Sequence, residues 1–463
     1  MIIQSFINSA FQKGPATFIK KNPYTQADQH QVEGADLMQA VQSIQGAQKA
    51  FAEWKMSSIE DRIMLLKKIQ DSLVQKKSEY AKLEAQDQAL PLRFVEEHGI
   101  QAAIDSFGSA IQQLQTYKPA TNQFHSPNGV SVIVASWNLS LRVISERLAP
   151  ALAAGNSVIV KVSSSSPVTA FILGQILQDV QAPAGLVQVL VSNQQDVKDI
   201  LISHPGVKAV SFVGNLKNSA DVLKKITVGS FNQFKKIQIA SGSKNTAVVL
   251  QAVTDSPFEQ IMDSFMVGQG QLGWNSNRLF VLEKFEQEWV DKITDYLAKL
   301  TPAKNPEDPS PWHPCLKLES FDHFTEIENL AIQDKAHLLQ VVHPLTDQQK
   351  KSYLKPTFTK DMSNCSTLQQ DQVPAPLFIL SVVKYPFDVA KYSNVSYYGQ
   401  SAHIWAEESK IAKVAEQLDV AQIFMNKWSA ERHGPNKGVK QSGFGIQDYQ
   451  VFGDFFSNVK NLT

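Results

Sequence analysis

Gly268, Gly270 and Gly273 spell Gly-x-Gly-x-x-Gly, the spacing with which a tight turn brings backbone N–H groups against a pyrophosphate. That chemistry needs a strand before the glycines and a helix after them, so that the phosphate meets a helix N-terminus. Here the order is reversed. Residues 258–267 carry the apolar spacing of a helix and residues 278–283 that of a strand, so the match reads as coincidence. His313 and Cys315 would make half a metal site, but no second pair at ligand spacing accompanies them, and the Pro-rich stretch 302–314 reads as a solvated surface excursion. The chain has no Walker-type phosphate loop, no Gly-x-Ser-x-Gly elbow and no His-Glu-x-x-His. Its only cysteines are Cys315 and Cys365, too few for a disulfide framework and in keeping with a reducing cytoplasm.

Those residues must be positioned by a chain of 463 residues that is 43% hydrophobic and 19% charged, enough for two or three domains of about 100–200 residues. Its 44 basic and 44 acidic residues cancel, and no Lys/Arg cluster is interleaved with aromatics, so nucleic acid is not an expected partner. No apolar run approaches the roughly 18 residues of a membrane span, and residues 1–8 lack a basic, apolar leader, so a cytoplasmic location is expected. Helical periodicity covers 37–54 and 59–83, is interrupted around 85–91, and resumes through 112. Strand patterns at 129–135, 157–161, 186–191 and 209–213 then alternate with helical ones at 167–177 and 195–202. This alternation predicts an α/β fold with a parallel, doubly wound sheet.

Several stretches in order resemble the aldehyde dehydrogenase superfamily. They are Ser136-Trp137-Asn138-Leu139, Ala149-Pro150-Ala151-Leu152-Ala153-Ala154-Gly155-Asn156, Val160-Lys161, Phe212-Val213-Gly214, Gly268-Gln269-Gly270-Gln271, Lys440-Gln441-Ser442-Gly443-Phe444-Gly445 and Phe456-Ser457-Asn458-Val459-Lys460. The resemblance implies that family's fold. A Rossmann-type NAD(P)-binding domain would span 1–118 and 132–240, a catalytic-type α/β domain 241–449, and a small β oligomerisation module 119–131 and 450–463. It also implies a homo-oligomer, a dimer or tetramer, with Phe455, Phe456 and Val459 on the C-terminal strand facing a partner subunit.

In that family a cysteine thiolate attacks the aldehyde, an asparagine amide helps hold the oxyanion, hydride passes to NAD(P)⁺, and a glutamate activates water. By the resemblance, Gly273 stands where the cysteine belongs, Ala240 where the glutamate belongs, and Asn138 keeps the oxyanion place. Trp274 beside Gly273 would narrow or fill the substrate tunnel. Of the dinucleotide contacts, Trp137 and Lys161 are retained. Ser164 replaces a ribose-binding glutamate, which is permissive toward a 2′-phosphate, Gly214 and Asn215 keep only the start of a phosphate turn, and Gln372 replaces the glutamate that grips the nicotinamide ribose. Arg432 and His433 fall in the substrate-anchoring loop. NAD or NADP binding therefore stays open, weak rather than tight, and no metal is implied. The expected protein is an oligomeric pseudoenzyme that acts as scaffold, partner or nucleotide- or metabolite-binding protein. The alternative is an active NAD(P)-dependent oxidoreductase, or a repurposed enzyme, with an unrecognised nucleophile.

Overall fold

The computed structural model describes the whole chain except residues 119–120, 229–233, 253–254, 317–318, 364–365, 430–437, 446–448 and 462–463. Cys365, Arg432 and His433 lie outside the described residues. Two sheets dominate. In the first, five parallel strands lie in the spatial order Lys236–Ala240, Val207–Val213, Val130–Val134, Ser157–Val162, Val187–Val191. Numbered along the chain this is 5-4-1-2-3, the doubly wound order that the alternation of patterns predicts. Strands Val130–Val134 and Val187–Val191 are buried at every position, which is why each is apolar at all positions but one, Ser131 and Gln188 respectively. The edge beyond Val187–Val191 is extended by strands drawn from residues 2–34, an N-terminal addition that sequence patterning missed. The second sheet has seven strands, six of them parallel, and includes Asn245–Val249, Ser276–Leu282, Leu377–Val383 and Ser401–Trp405.

Three local expectations need correction. The helix expected over 59–83 is two helices, Ile59–Gln75 and Lys77–Gln88. The second runs past the predicted break because Glu84, Asp87 and Gln88 are buried and engage backbone N–H groups of other segments. It ends at Ala89 in the left-handed region (φ 54°) ahead of Pro91. The 302–314 stretch is not a solvated excursion: Ala303, Trp312 and His313 are buried, the Trp312 indole donates to the Leu354 carbonyl at 2.7 Å, and the ring of His313 meets the Tyr24 hydroxyl at 2.8 Å. Finally, Phe455 and Phe456 do not lie on the C-terminal strand. They are buried in the core of the first sheet just before the strand Ser457–Asn461, which pairs antiparallel with Gln123–Pro127. Val459 is on that strand and exposed.

The Gly-x-Gly-x-x-Gly stretch follows the helix Asp255–Met266 and precedes the strand Ser276–Leu282, the reverse of a phosphate-binding turn, as its flanks imply. Gly268 and Gly270 serve a kink instead, both with positive φ, 66° and 67°.

Candidate functional site

The winding of the first sheet reverses between Val130–Val134 and Val207–Val213, and in open parallel sheets ligands sit outside the carboxyl ends of the strands at such a reversal. Trp137 and Asn138 follow the first of these strands, Gly214 and Asn215 the second, and Lys161 and Ser164 lie at the end of the neighbouring strand. The chain leaves the adjoining strand at Ala240 and enters the second sheet at Asn245, with only four residues between them. The carboxyl end of one sheet therefore leads directly into the amino end of the other, and the site residues stand on either side of that junction.

On the first wall, Trp137 is buried and Asn138 half-buried, in a turn whose next residue, Leu139, is left-handed at φ 43°. A leucine in that region is strained, and the turn is held by its surroundings. The Leu139 N–H donates to Gln88 Oε1 at 2.7 Å, the Leu141 N–H to Glu84 Oε1 at 3.0 Å, and Ser140 Oγ lies 2.9 Å from both the Ser136 and Trp137 carbonyls. The Lys161 ammonium donates to the Ser192 carbonyl at 2.8 Å. Burial pushes its pKa down to about 8, and the ammonium of Lys198 acts in the same direction. Ser164 is half-buried. Asn215 caps the helix Leu216–Val228, its side-chain oxygen accepting from the Asn218 N–H at 2.8 Å, while the Gly214 N–H bonds the Ala240 carbonyl at 3.1 Å.

On the opposite wall, Gly273 is half-buried, and its carbonyl accepts from the Asn245 amide at 3.0 Å. The same amide holds the Asn275 carbonyl, and Asn275 in turn bonds Leu272, Ser264 and Val267, so the loop is pinned from within. A Cβ placed on Gly273 would meet nothing nearer than the Gln400 side chain at 3.8 Å, an ordinary contact. Trp274 is buried under the Arg142 guanidinium, 5.4 Å from the ring centre, and Leu272 and Trp274 share one apolar cluster with Leu139 and Leu141. The two loops thus come together through their neighbours. Ala240 is half-buried in its strand, opposite Gly443. The Gln372 side chain lies against Gly242, its Oε1 only 2.0 Å from where a Cβ would stand, so a side chain at 242 and the present Gln372 rotamer exclude one another.

The Lys161 ammonium is engaged by the Ser192 carbonyl, and positions 372 and 240 carry an amide and a methyl group rather than carboxylates. Cys315 and His313 are poorly suited as nucleophiles. Burial pushes the Cys315 thiol up to about 12, leaving it inert as a thiolate source, and the His313 ring is held neutral, its pKa pushed down to about 4 by burial. Among the described residues no group of three His, Cys, Asp or Glu side chains could hold a metal ion. Nor is any helix among them long and apolar enough to cross a membrane.

Several participants had no sequence signal. Gln400 facing Gly273, Glu84 and Gln88 under the Asn138 turn, and the π-helical turn Val95–Ile100 are single-residue or backbone features without periodicity. That turn packs on the site: the His98 carbonyl accepts from Arg142 at 3.1 Å, and a Cβ on Gly99 would touch Leu139 at 3.2 Å.

Comparison with known proteins agrees with this architecture. The chain is 25% identical over its whole length to 2-aminomuconic semialdehyde dehydrogenases of Mus musculus and Homo sapiens, covering 98% of each. Its fold is similar to that of betaine aldehyde dehydrogenase from Staphylococcus aureus, solved with NAD⁺ (TM-score 0.89, 20% identity, 99% of this chain and 94% of that one). It is equally similar to an aldehyde dehydrogenase from Bacillus cereus (TM-score 0.91, 20% identity, 100% and 96%). With the aldehyde dehydrogenase family matched across residues 11–462, the chain belongs to that family.

Proposed function

We propose that this protein binds ligands in the aldehyde dehydrogenase cleft without oxidising aldehydes, as a homo-oligomeric, nucleotide- or metabolite-responsive pseudoenzyme of the cytoplasm. The observation that carries this reading is Gly273: a loop pinned by Asn245 and Asn275, where a Cβ would make only an ordinary contact with Gln400, presents backbone alone where the resemblance calls for a thiolate. Ala240 in place of the base points the same way. In a serine protease, loss of the nucleophile lowers turnover on the order of a millionfold, although an oxyanion site remains. Trp137, Lys161, Ser164, Gly214 and Asn215 would hold the adenosine half of NAD or NADP, and Asn138 would remain as a hydrogen-bond donor to a ligand oxygen. The dinucleotide, when bound, is the hydride acceptor of the family chemistry. With Gln372 at the nicotinamide-ribose position, weak binding is expected, and the curated relatives suggest a semialdehyde as the kind of molecule to offer.

The test pairs two measurements. Calorimetric titration with NAD⁺, NADP⁺ and their reduced forms should give dissociation constants weaker than micromolar, and absorbance at the reduced-nicotinamide band should show no turnover over an aldehyde and semialdehyde panel. Sustained turnover that survives repurification would sink the pseudoenzyme reading in favour of an active oxidoreductase. Gly273→Cys with Ala240→Glu should restore measurable thioester chemistry if only the catalysts are missing. Failure of the double variant in a folded protein would place the further defect at Gln372 or Trp274.

A further inference from the structure

Beneath the Asn138 turn lies a polar cluster that no step of the family chemistry uses. It is formed by Glu84, Asp87 and Gln88 on the last turns of the helix Lys77–Gln88, each 0% exposed, with Lys20 at 8% from the strand Ala16–Lys21. Together they grip the starts of the helices Ser140–Ala153 and Val168–Asp179 and the turns that lead into them. Glu84 Oε1 accepts the Leu141 N–H at 3.0 Å and the Thr169 hydroxyl at 2.7 Å, and Gln88 Oε1 accepts the Leu139 N–H at 2.7 Å. Asp87 Oδ2 accepts the Val168 N–H at 3.1 Å, and the Lys20 ammonium donates to the carbonyls of Asp87 and Ser165. The two loops are also tied to each other, with 3.0 Å between Ser140 Oγ and Ser166 Oγ. One helix end therefore fixes both the turn that carries Asn138 and the turn that follows Lys161.

The cluster's charges do not balance when both acids are ionised. Among the described residues Lys20, 3.6 Å from Asp87 Oδ1, is the ammonium paired with it; Glu84 Oε2, Asp87 Oδ1 and Gln88 Nε2 are buried with no partner within hydrogen-bond distance, while Gln88 and Lys20 stand near enough to favour the charged acids. The charged groups on the elements packed around this helix are engaged elsewhere. Arg93 pairs with Glu97, Glu96 accepts from Ser78, Lys76 pairs with Asp179, Arg142 pairs with Glu146, and the His98 ring lies against Phe94. A proton on Glu84 Oε2 leaves Oε1 as a carbonyl that can accept both of its bonds. Removing that proton puts a second negative charge beside Asp87 in a site closed to water, and opening the contact relieves the repulsion.

We propose that Glu84 is a positioning residue with a built-in proton switch: protonated, it clamps the turn that carries Asn138, and ionised, it loosens that turn. Burial pushes the Glu84 carboxyl up to about 7, with the Asp87 charge adding to the rise against the bonds from Thr169, Leu141 and Gln88, and burial pushes Asp87 up to about 6 against Lys20 and the Val168 N–H. Raised folded-state values fix the sign. The clamp is complete below the ordinary carboxylate range, weakens as pH rises, and levels off above about 7, where the folded form has itself lost the proton. The inference holds whether or not a dinucleotide binds, because its readout needs no ligand.

The experiment is amide hydrogen exchange across pH 5–8.5, corrected for intrinsic rates, on peptides covering residues 137–141 and 165–169. Protection in the unmodified protein should fall up to about tenfold between pH 6 and 7 and then level off, while strand Val187–Val191 stays flat as a control. Glu84→Gln, which mimics the protonated acid, should keep its low-pH protection across that interval. Asp87→Asn removes the neighbouring charge and should move the levelling-off point to lower pH. A flat profile in the unmodified protein, or a fall of equal size in Glu84→Gln, overturns the proposal. If Glu84→Gln does not fold, an unmoved levelling-off point in Asp87→Asn does so instead.

Discussion

Gly273 and Gly270 are three residues apart in one loop, yet their backbones ask for opposite things. Gly270 has φ 67°, and a Cβ there would stand 2.7 Å from the Ala375 carbonyl oxygen, a backbone atom that cannot move aside. Gly273 is not among the positive-φ glycines, and its Cβ would make only an ordinary contact. Gly270→Ala should therefore destabilise by about 2 kcal/mol or more, whereas Gly273→Ala should be neutral or stabilising by roughly 0.4–1 kcal/mol through the less flexible unfolded chain. Denaturant titration of the two variants decides. If Gly273→Ala is the more damaging, the loop is not the open position described, and a cysteine restored there could not be interpreted. The outcome bears on history as well as chemistry, since a glycine that geometry does not demand is one the site could exchange for a side chain.

Much of the element scale was legible in the sequence because it is written in periodicity. The helix Leu37–Trp54 and the strands Ser157–Val162 and Val187–Val191 fall within a residue of their patterns, since one buried face or a wholly buried strand fixes the order of apolar residues. The site residues were legible only as positions in a resemblance. Their partners were not, because Glu84 meeting Leu141 or Asn245 meeting Gly273 is a contact between distant segments that leaves no local pattern. The misreading of 302–314 has the same origin: prolines and polar residues suggest solvent, but Trp312 and His313 find buried partners in Leu354 and Tyr24. Asn156 shows how much one such residue can carry. Its Oδ1 accepts the N–H groups of Asn128 and Gly129, and its amide donates to the carbonyls of Ala151 and Phe456, joining helix, strand and C-terminal segment. Asn156→Ala should cost about 2–4 kcal/mol, because the N–H groups of Asn128 and Gly129 and the Phe456 carbonyl lose this partner at once, while the Ala151 carbonyl keeps the Asn156 backbone N–H. Thermal unfolding would read this directly, and a loss under about 1 kcal/mol would mean that water replaces the amide.

At the scale of the molecule, the ribbon formed by Gln123–Pro127 and Ser457–Asn461 raises a question that one chain does not answer. Two strands alone are marginal in water and need a third strand or a packed face. Here Phe124 and Val459 remain 52% and 44% exposed, and the seven-stranded sheet ends at Gln422–Met425, whose Met425 is 58% exposed. Exposed apolar residues on an unpaired strand edge favour association. A two-fold arrangement would use the same patch on both copies, and a stable contact would need to bury about 800 Å² per subunit. Sedimentation velocity should accordingly find a dimer or tetramer at micromolar concentration. Phe124→Asp with Val459→Lys should shift it toward monomer while leaving the unfolding of the two large sheets in place, because neither side chain belongs to their cores. A monomeric unmodified protein would remove the oligomeric part of the proposed function and leave the ribbon's exposed face without a physical account. An oligomer that survives both charges would move the interface to another surface.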